Sequence, residues 1–466
     1  MLIKIPRSFP EERTYIVSVL LDDFLGLNIE IAIEDRLDTS LQLEGRELTI
    51  ADDLFAFPEH DWLAPASLPA RPLARWDPAA DGLGLDLGWT DIPILYGRSP
   101  HRPVFLSLTE RKIDLGLDVF GSSFFMLSRY EEAVKPDRDN HDRFPHTASL
   151  AIQEHFLERA IVNEYLEVLW ACMKRLWPGL ERKKREYKVI LSHDVDRPLS
   201  ITGAKATQIL RTLMGDVAKR RDIDLTIRRI RAIFSTLSRN YDQDPAASFD
   251  FIMDISEQHS LASAFNFITG HSGGDIDGNY SVNMPWMQSL IRRLYNRGHE
   301  IGFHPSYNTY RDAAETKREF EHLRRAAECA GVSQAQWGGR QHYLRWHSGD
   351  TWRNWARAGL DYDSTLGFAG CPGFRAGTCF EYPVFDLVER RSSGLIERPL
   401  IVMDTTLMYP EYMQISYEDI IRTCRQFSST CRKFGGSFSL LWHNDNLVSA
   451  AQKRLYRDAV SVSVNC

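Results

Sequence analysis

From Tyr187 to His443, short apolar runs alternate with stretches whose apolar residues keep helical spacing. The runs are Tyr187 to Ser192, Ala264 to Thr269, Glu300 to His304, Gln336 to Tyr343, Leu360 to Tyr362, Leu400 to Thr406 and Phe438 to His443. Parallel strands need a crossover, usually a helix, so this alternation predicts α/β architecture with a parallel sheet. In barrels of this kind the reactive residues come from the carboxyl ends of the strands, and the polar clusters of this half stand there. We expect a deformed (β/α)7-8 TIM-like barrel over residues 184–460.

At 466 residues the chain exceeds the size at which one core stops growing, so a second domain is expected. Residues 1–183 read as a smaller α+β domain of unassigned role. They carry strand-like runs at Tyr15 to Leu21, Leu27 to Ile33 and Ile92 to Tyr96, and a helix from Ser149 to Leu176. The charged segment Glu181 to Glu186 marks the boundary, near 183. The net charge of −7 argues against nucleic acid as the main partner. Seven cysteines, an odd set without CxxC spacing, are expected to be reduced structural thiols. The first residues lack the pattern of a secretory leader, and no stretch reaches the roughly 18 apolar residues that cross a bilayer. A cytoplasmic protein is expected.

One insertion interrupts the rhythm. Residues 203–243 carry nine Lys or Arg against four Asp, and Ile223, Ile227, Ile230, Phe234 and Leu237 form a helical stripe. The plain reading is a lid or packing helix with a solvated basic face. The alternative is peripheral contact with an anionic inner-membrane surface or a phosphorylated, lipid-linked substrate.

The polar clusters come in a fixed order. Asp194 and Asp196 end the first strand and, by alternation, share a face, while His193 points to the other. His304 begins His304-Pro305-Ser306-Tyr307-Asn308. Arg340-Gln341-His342-Tyr343, Asp361-Tyr362-Asp363 and Leu441-Trp442-His443 follow at later strand ends. The order Asp-x-Asp, His, Arg-x-x-Tyr, Asp-Ser, Leu-x-His resembles the five motifs of the NodB-type polysaccharide deacetylases, carbohydrate esterase family 4, over about residues 187–450. The wording HDVD, HPSYN, RQHYLR and GFRAGT is similar to a bacterial branch with an extra N-terminal domain, linked to surface polysaccharide synthesis.

That resemblance implies a metal-dependent hydrolase that removes an N-acyl group, acetyl or formyl, from an amino sugar in surface polysaccharide or lipopolysaccharide biosynthesis. It implies a divalent metal, zinc foremost, on Asp196 and His304. The family's third ligand is a histidine four residues after the first, and Asn308 stands there; His342 is the alternative source of a nitrogen. Asp194 is the implied general base, Arg340 its holder and His443 the general acid. Tyr343, through its backbone N–H, and Asp363, orienting a histidine, are implied at the substrate. Arg375, in a Gly-rich loop, is expected to contact an anionic part of the substrate, and Asp404 to reach the same pocket. The expected substrate is an amino sugar, nucleotide- or lipid-linked. The rival readings are metal-independent hydrolysis of cyclic amides in the same fold, and a non-catalytic carbohydrate-binding protein.

Overall fold

The computed structural model describes residues 1–98, 105–200, 206–215, 218, 223–237, 241–278 and 280–466. The chain forms two compact units. The first comprises 1–186 with 373–399 and 434–436, and the second 187–372, 400–433 and 437–466.

The first unit holds β1 (Leu2–Pro6), β2 (Glu30–Glu34), β3 (Thr39–Leu43), β4 (Arg46–Ile50), β5 (Ala74–Trp76), β6 (Ile92–Ile94), β7 (Leu106–Leu108) and β8 (Lys112–Leu115). Six of them form a mixed sheet in the order β2-β1-β3-β4-β8-β7, and β5 pairs with β6 alone. The run Tyr15 to Leu21, expected as a strand, is helical: a helix covers Pro10–Ser18 and a π-helical turn Val19–Phe24. Its apolar residues are buried on every side, and an apolar run without a polar face has no period to separate strand from helix. Pro10 at the helix start, with Glu11 and Glu12 in the first turn, supplies the helical signal. The helix expected over 149–176 breaks into Leu150–Gln153 and Ile161–Leu176, with His155 left-handed between them.

Residues 373–399 complete this unit. Phe374 N–H donates to the Leu157 carbonyl and Val162 N–H to that of Gly377. The segment carries β14 (Tyr382–Asp386) and β15 (Arg391–Glu397), an antiparallel pair. Phe385 joins Phe55 and Tyr15 around Phe124 in an aromatic cluster, with ring centroids 5.2 to 6.0 Å apart.

The second unit is built on parallel strands: β9 (Lys188–Val195), β10 (Ser263–Ile268), β11 (Glu300–His304), β12 (Gly338–Gly339), β13 (Tyr362–Asp363), β16 (Val402–Met403) and β17 (Ser437–Leu441). Their order is β13-β12-β11-β10-β9-β17-β16, with parallel pairing throughout. All seven expected strands are present, though β12, β13 and β16 keep only two residues each. Among the described residues β13 and β16 do not pair, so these strands form an open sheet and the expected closed ring is not seen. The basic insertion lies partly outside the described residues. Its described part contains helices Ala206–Gly215 and Ile223–Leu237.

Candidate active site

Every candidate carboxylate and imidazole of the second unit stands at the carboxyl end of a parallel strand, where side chains from neighbouring strands converge. On β9 the alternation holds. His193 turns away, its Nδ1 donating to the Trp442 carbonyl (2.6 Å) and its Nε2 accepting from Ser263 Oγ (3.2 Å). Ser192 and Asp194 face the other side. There Arg340, 1% exposed, donates from Nη1 to Asp194 Oδ1 (2.9 Å), from Nη2 to Ser192 Oγ (3.0 Å) and from Nε to the Ser364 carbonyl (2.9 Å). Burial alone would raise the Asp194 pKa, but Arg340, then His304 and His443, bring it below the ordinary carboxylate value.

Asn266, level with Asp194 in the β9–β10 register, donates from Nδ2 to the same Oδ1 (2.7 Å). Gly302 on β11 makes room for it, since a Cβ there would overlap the Asn266 amide oxygen. Sequence reasoning missed Asn266, although one polar residue in the apolar run Ser263–Ile268 was the signal.

Asp196, His304 and His342 form a cluster whose ligand atoms lie within 4.8 Å of one another. His304 Nε2 is 3.2 Å and His342 Nε2 3.7 Å from Asp196 Oδ1. All three atoms are buried without a hydrogen-bond partner. At each histidine the other nitrogen is fixed: His304 Nδ1 donates to the Arg340 carbonyl (2.6 Å) and His342 Nδ1 to Asp277 Oδ1 (2.9 Å). This selects the tautomer with the Nε2 lone pair facing the cluster, as outer partners of metal-ligating histidines do. One oxygen and two nitrogens, orphaned and convergent, fit a divalent cation with open positions. Burial opposes ionisation of Asp196, yet the positive charge that His342, foremost, and His304 carry when protonated holds it well below the usual carboxylate range; a cation bound at the two Nε2 atoms would take the place of that charge.

His342, and not Asn308, completes this cluster. Asn308 is exposed and engaged elsewhere, donating from Nδ2 to the Ser272 carbonyl (2.8 Å) and accepting at Oδ1 from Arg345 (3.1 Å). His342 lies three residues past β12, and directly after it Tyr343 (φ 59°) and Leu344 (φ 53°) are left-handed. That conformation is uncommon outside glycine. Tyr343 lies at the rim, its ring edge-on to His342 at 4.8 Å between centroids.

The carboxylate behind His443 is also corrected. His443 Nδ1 donates to Asp404 Oδ1 (2.7 Å), and its backbone N–H and Asn446 Nδ2 donate to Asp404 Oδ2. Burial lowers the His443 pKa, but Asp404 outweighs it and the value is pushed up to about 10. His443 Nε2 lies 3.8 Å from Asp196 Oδ2. Asp363, expected in that orienting role, is buried and accepts at Oδ1 from the Thr365 N–H and hydroxyl. Arg375 belongs to the first unit: buried, it donates from Nε (2.9 Å) and Nη2 (2.6 Å) to the two carboxylate oxygens of Glu132, so it is structural there and not a substrate contact.

Residues 1–178 match DUF7033, a family of unknown function. No curated protein sequence matches the chain. Among solved structures, it is similar to a candidate polysaccharide deacetylase from Mycobacterium smegmatis at 18% identity and a TM-score of 0.37, covering 60% of this chain and 84% of that one. It is similar to an allantoinase at 15% identity and a TM-score of 0.38 (61% and 85% covered). A polysaccharide deacetylase from Bacillus cereus matches at 13% identity and a TM-score of 0.25 (60% and 88% covered).

Proposed function

We propose that the second unit is a hydrolase that cleaves the C–N bond of an N-acyl amino sugar, with a divalent cation held by Asp196, His304 and His342. The observation that carries this reading is three orphaned ligand atoms set beside an arginine-paired carboxylate and a carboxylate-backed imidazole. Zinc suits the mixed oxygen and nitrogen set, and when bound such an ion polarises a carbonyl and makes water more acidic.

The chain's own groups divide the proton work. Asp194 has Oδ1 tied to Arg340 and Asn266, which leaves Oδ2, 3.9 Å from His304 Nε2, to take a proton from the attacking water. Arg340 keeps that carboxylate ionised at neutral pH. His443, protonated below its raised pKa, donates from Nε2 to the departing amine while Nδ1 stays bonded to Asp404. The backbone N–H of Tyr343 is the proposed donor to the oxyanion.

The substrate class is inferred from the resemblance of the motifs, an acetyl or formyl amino sugar in surface polysaccharide or lipopolysaccharide synthesis, and the expected cytoplasmic setting points to a nucleotide- or lipid-linked one. The convergent ligand set favours this over metal-independent hydrolysis of cyclic amides, and the Asp194 and His443 pair favours it over a non-catalytic carbohydrate-binding role. To test it, metal-replete protein is incubated with N-acetyl and N-formyl amino sugars linked to nucleotides or lipids, and release of acetate or formate is followed. Release that falls by about 10²–10⁴ in Asp194→Asn and His443→Gln supports the assignment. Equal rates in wild type and both variants would contradict it.

A further inference from the structure

The described part of the basic insertion carries an apolar stripe that the active-site reading does not use. In the helix Ile223–Leu237, Ile223, Ile227, Ile230 and Phe234 are 67%, 42%, 41% and 68% exposed. At ~100° per residue they fall within a sector of about 60°, one line along the helix. The helix already has a core face on its other side. Leu225 and Ala232 are buried, Leu225 packs with Ala246 and Val448, and Arg228 donates to the Val448 carbonyl (3.3 Å). In the helix Ala206–Gly215, Leu210 and Met214, four residues apart, are likewise 59% and 64% exposed.

The outer face of a water-facing helix is normally polar. An exposed apolar line on a segment rich in cations, here with Arg231 exposed on the same helix, is instead the pattern of a helix lying in the plane of a bilayer interface. Charge selects the same occupant. The insertion carries nine Lys or Arg against four Asp within a chain of net charge −7, and Arg211 and Arg231 are exposed. Stripe-to-stripe pairing of two copies would bring like charges together, whereas anionic headgroups neutralise them.

We propose that the helix Ile223–Leu237 docks in the headgroup region of an anionic bilayer, with Ile223, Ile227, Ile230 and Phe234 sunk toward the acyl boundary. Its seat is tied to the site. Ala246, with which Leu225 packs, accepts through its carbonyl from Asn444 Nδ2 (2.9 Å), and the same amide donates to the Arg197 carbonyl (2.9 Å). Asn444 follows His443 and Arg197 follows Asp196, so docking brings the rim of the site to the bilayer surface, within reach of an amino sugar carried on a lipid. That consequence rests on the proposed activity; the docking does not.

The test is flotation of the full chain with vesicles of equal parts phosphatidylcholine and phosphatidylglycerol, against phosphatidylcholine alone. The wild type is expected to float with the anionic vesicles, and Phe234→Glu and Ile227→Glu to lower the bound fraction by about tenfold or more. Both changes are at exposed positions, so the thermal midpoint and the metal content are expected to stay as in the wild type. A wild type that remains in the buffer at low salt, or that floats equally well after Phe234→Glu, overturns the proposal. So does a concentration-dependent dimer abolished by Phe234→Glu without any flotation, which hands the stripe to a second copy.

Discussion

At the scale of single residues the site turns on what stands behind each histidine. Asp277 backs His342, and Asp277→Asn is expected to weaken divalent-metal binding by about 10- to 100-fold, read by competition with a chelator; unchanged affinity would remove Asp277 from that role. Asp404 backs His443, and Asp404→Asn is expected to bring the His443 pKa from about 10 toward its ordinary 6.5 in an NMR titration. A His443 still titrating near 10 would mean that another group holds it. His193 faces the opposite side of β9, and burial lowers its pKa from 6.5 to about 4. Its folded form is neutral, so its contribution is complete above pH 6.5 and is lost as pH falls toward 4, because the unfolded chain takes up the proton first. The shift corresponds to about 3 kcal/mol. Urea unfolding at several pH values is expected to show this loss in the wild type and a flatter profile in His193→Gln.

The residues legible from the sequence were those whose direction follows from strand period alone: Asp194 and Asp196 on one face, His193 on the other, and His304, Arg340 and His443 at strand ends. Those missed depend on loops. Asp277 lies in a loop with no local pattern that points to His342. His342 was legible only as the alternative to Asn308, because the chain leaves the sheet after Gly339 and strand period no longer sets the direction of residue 342. Asp363 ends β13 and Asp404 follows directly on β16, and only the pairing of β16 with β17, which no local pattern shows, sets the second beside His443.

At the scale of elements, the same reasoning located all seven parallel strands but overestimated the short ones. The run Gln336 to Tyr343 keeps only Gly338 and Gly339 in the sheet, because the chain must leave at once to aim Arg340 and His342 inward. The Gly-Gly pair is required by close approach. A Cβ at Gly339 would overlap the Phe303 carbonyl oxygen and one at Gly338 the Tyr362 ring. Gly339→Ala is therefore expected to destabilise the protein by roughly 2–4 kcal/mol, as other forced overlaps in packed interiors do. A denaturant midpoint equal to the wild type would show that β12 can shift without cost. Tyr15 to Leu21 was misread for the opposite reason: burial all round erases the period that separates strand from helix.

At the scale of the whole molecule, the first unit is not a contiguous stretch. Glu132 is buried between Arg129 and Arg375, Asn163 accepts from the Thr378 hydroxyl, and Tyr382 donates to the Leu127 carbonyl. A fragment ending at residue 183 would lose Arg375, Thr378 and Tyr382 and leave buried polar groups without partners, a cost of several kcal/mol against a marginal total. Such a fragment is expected to show no cooperative thermal transition by circular dichroism, whereas the full chain does. The boundary charge run at 181–186 was visible in the sequence. The return of 373–399 was not, because it is fixed by buried polar pairs far apart along the chain. Among the described residues no helix is long and apolar enough to cross a membrane.

Asp196, His304 and His342, and not Asn308, are the proposed holders of the divalent cation. Elemental analysis of purified wild type, His304→Ala, His342→Ala and Asn308→Ala tests it directly. Near-stoichiometric metal in the wild type and Asn308→Ala, lost in both histidine variants, is the predicted result. Metal that survives His342→Ala but is lost with Asn308→Ala, or a wild type that binds none after reconstitution, would contradict the account.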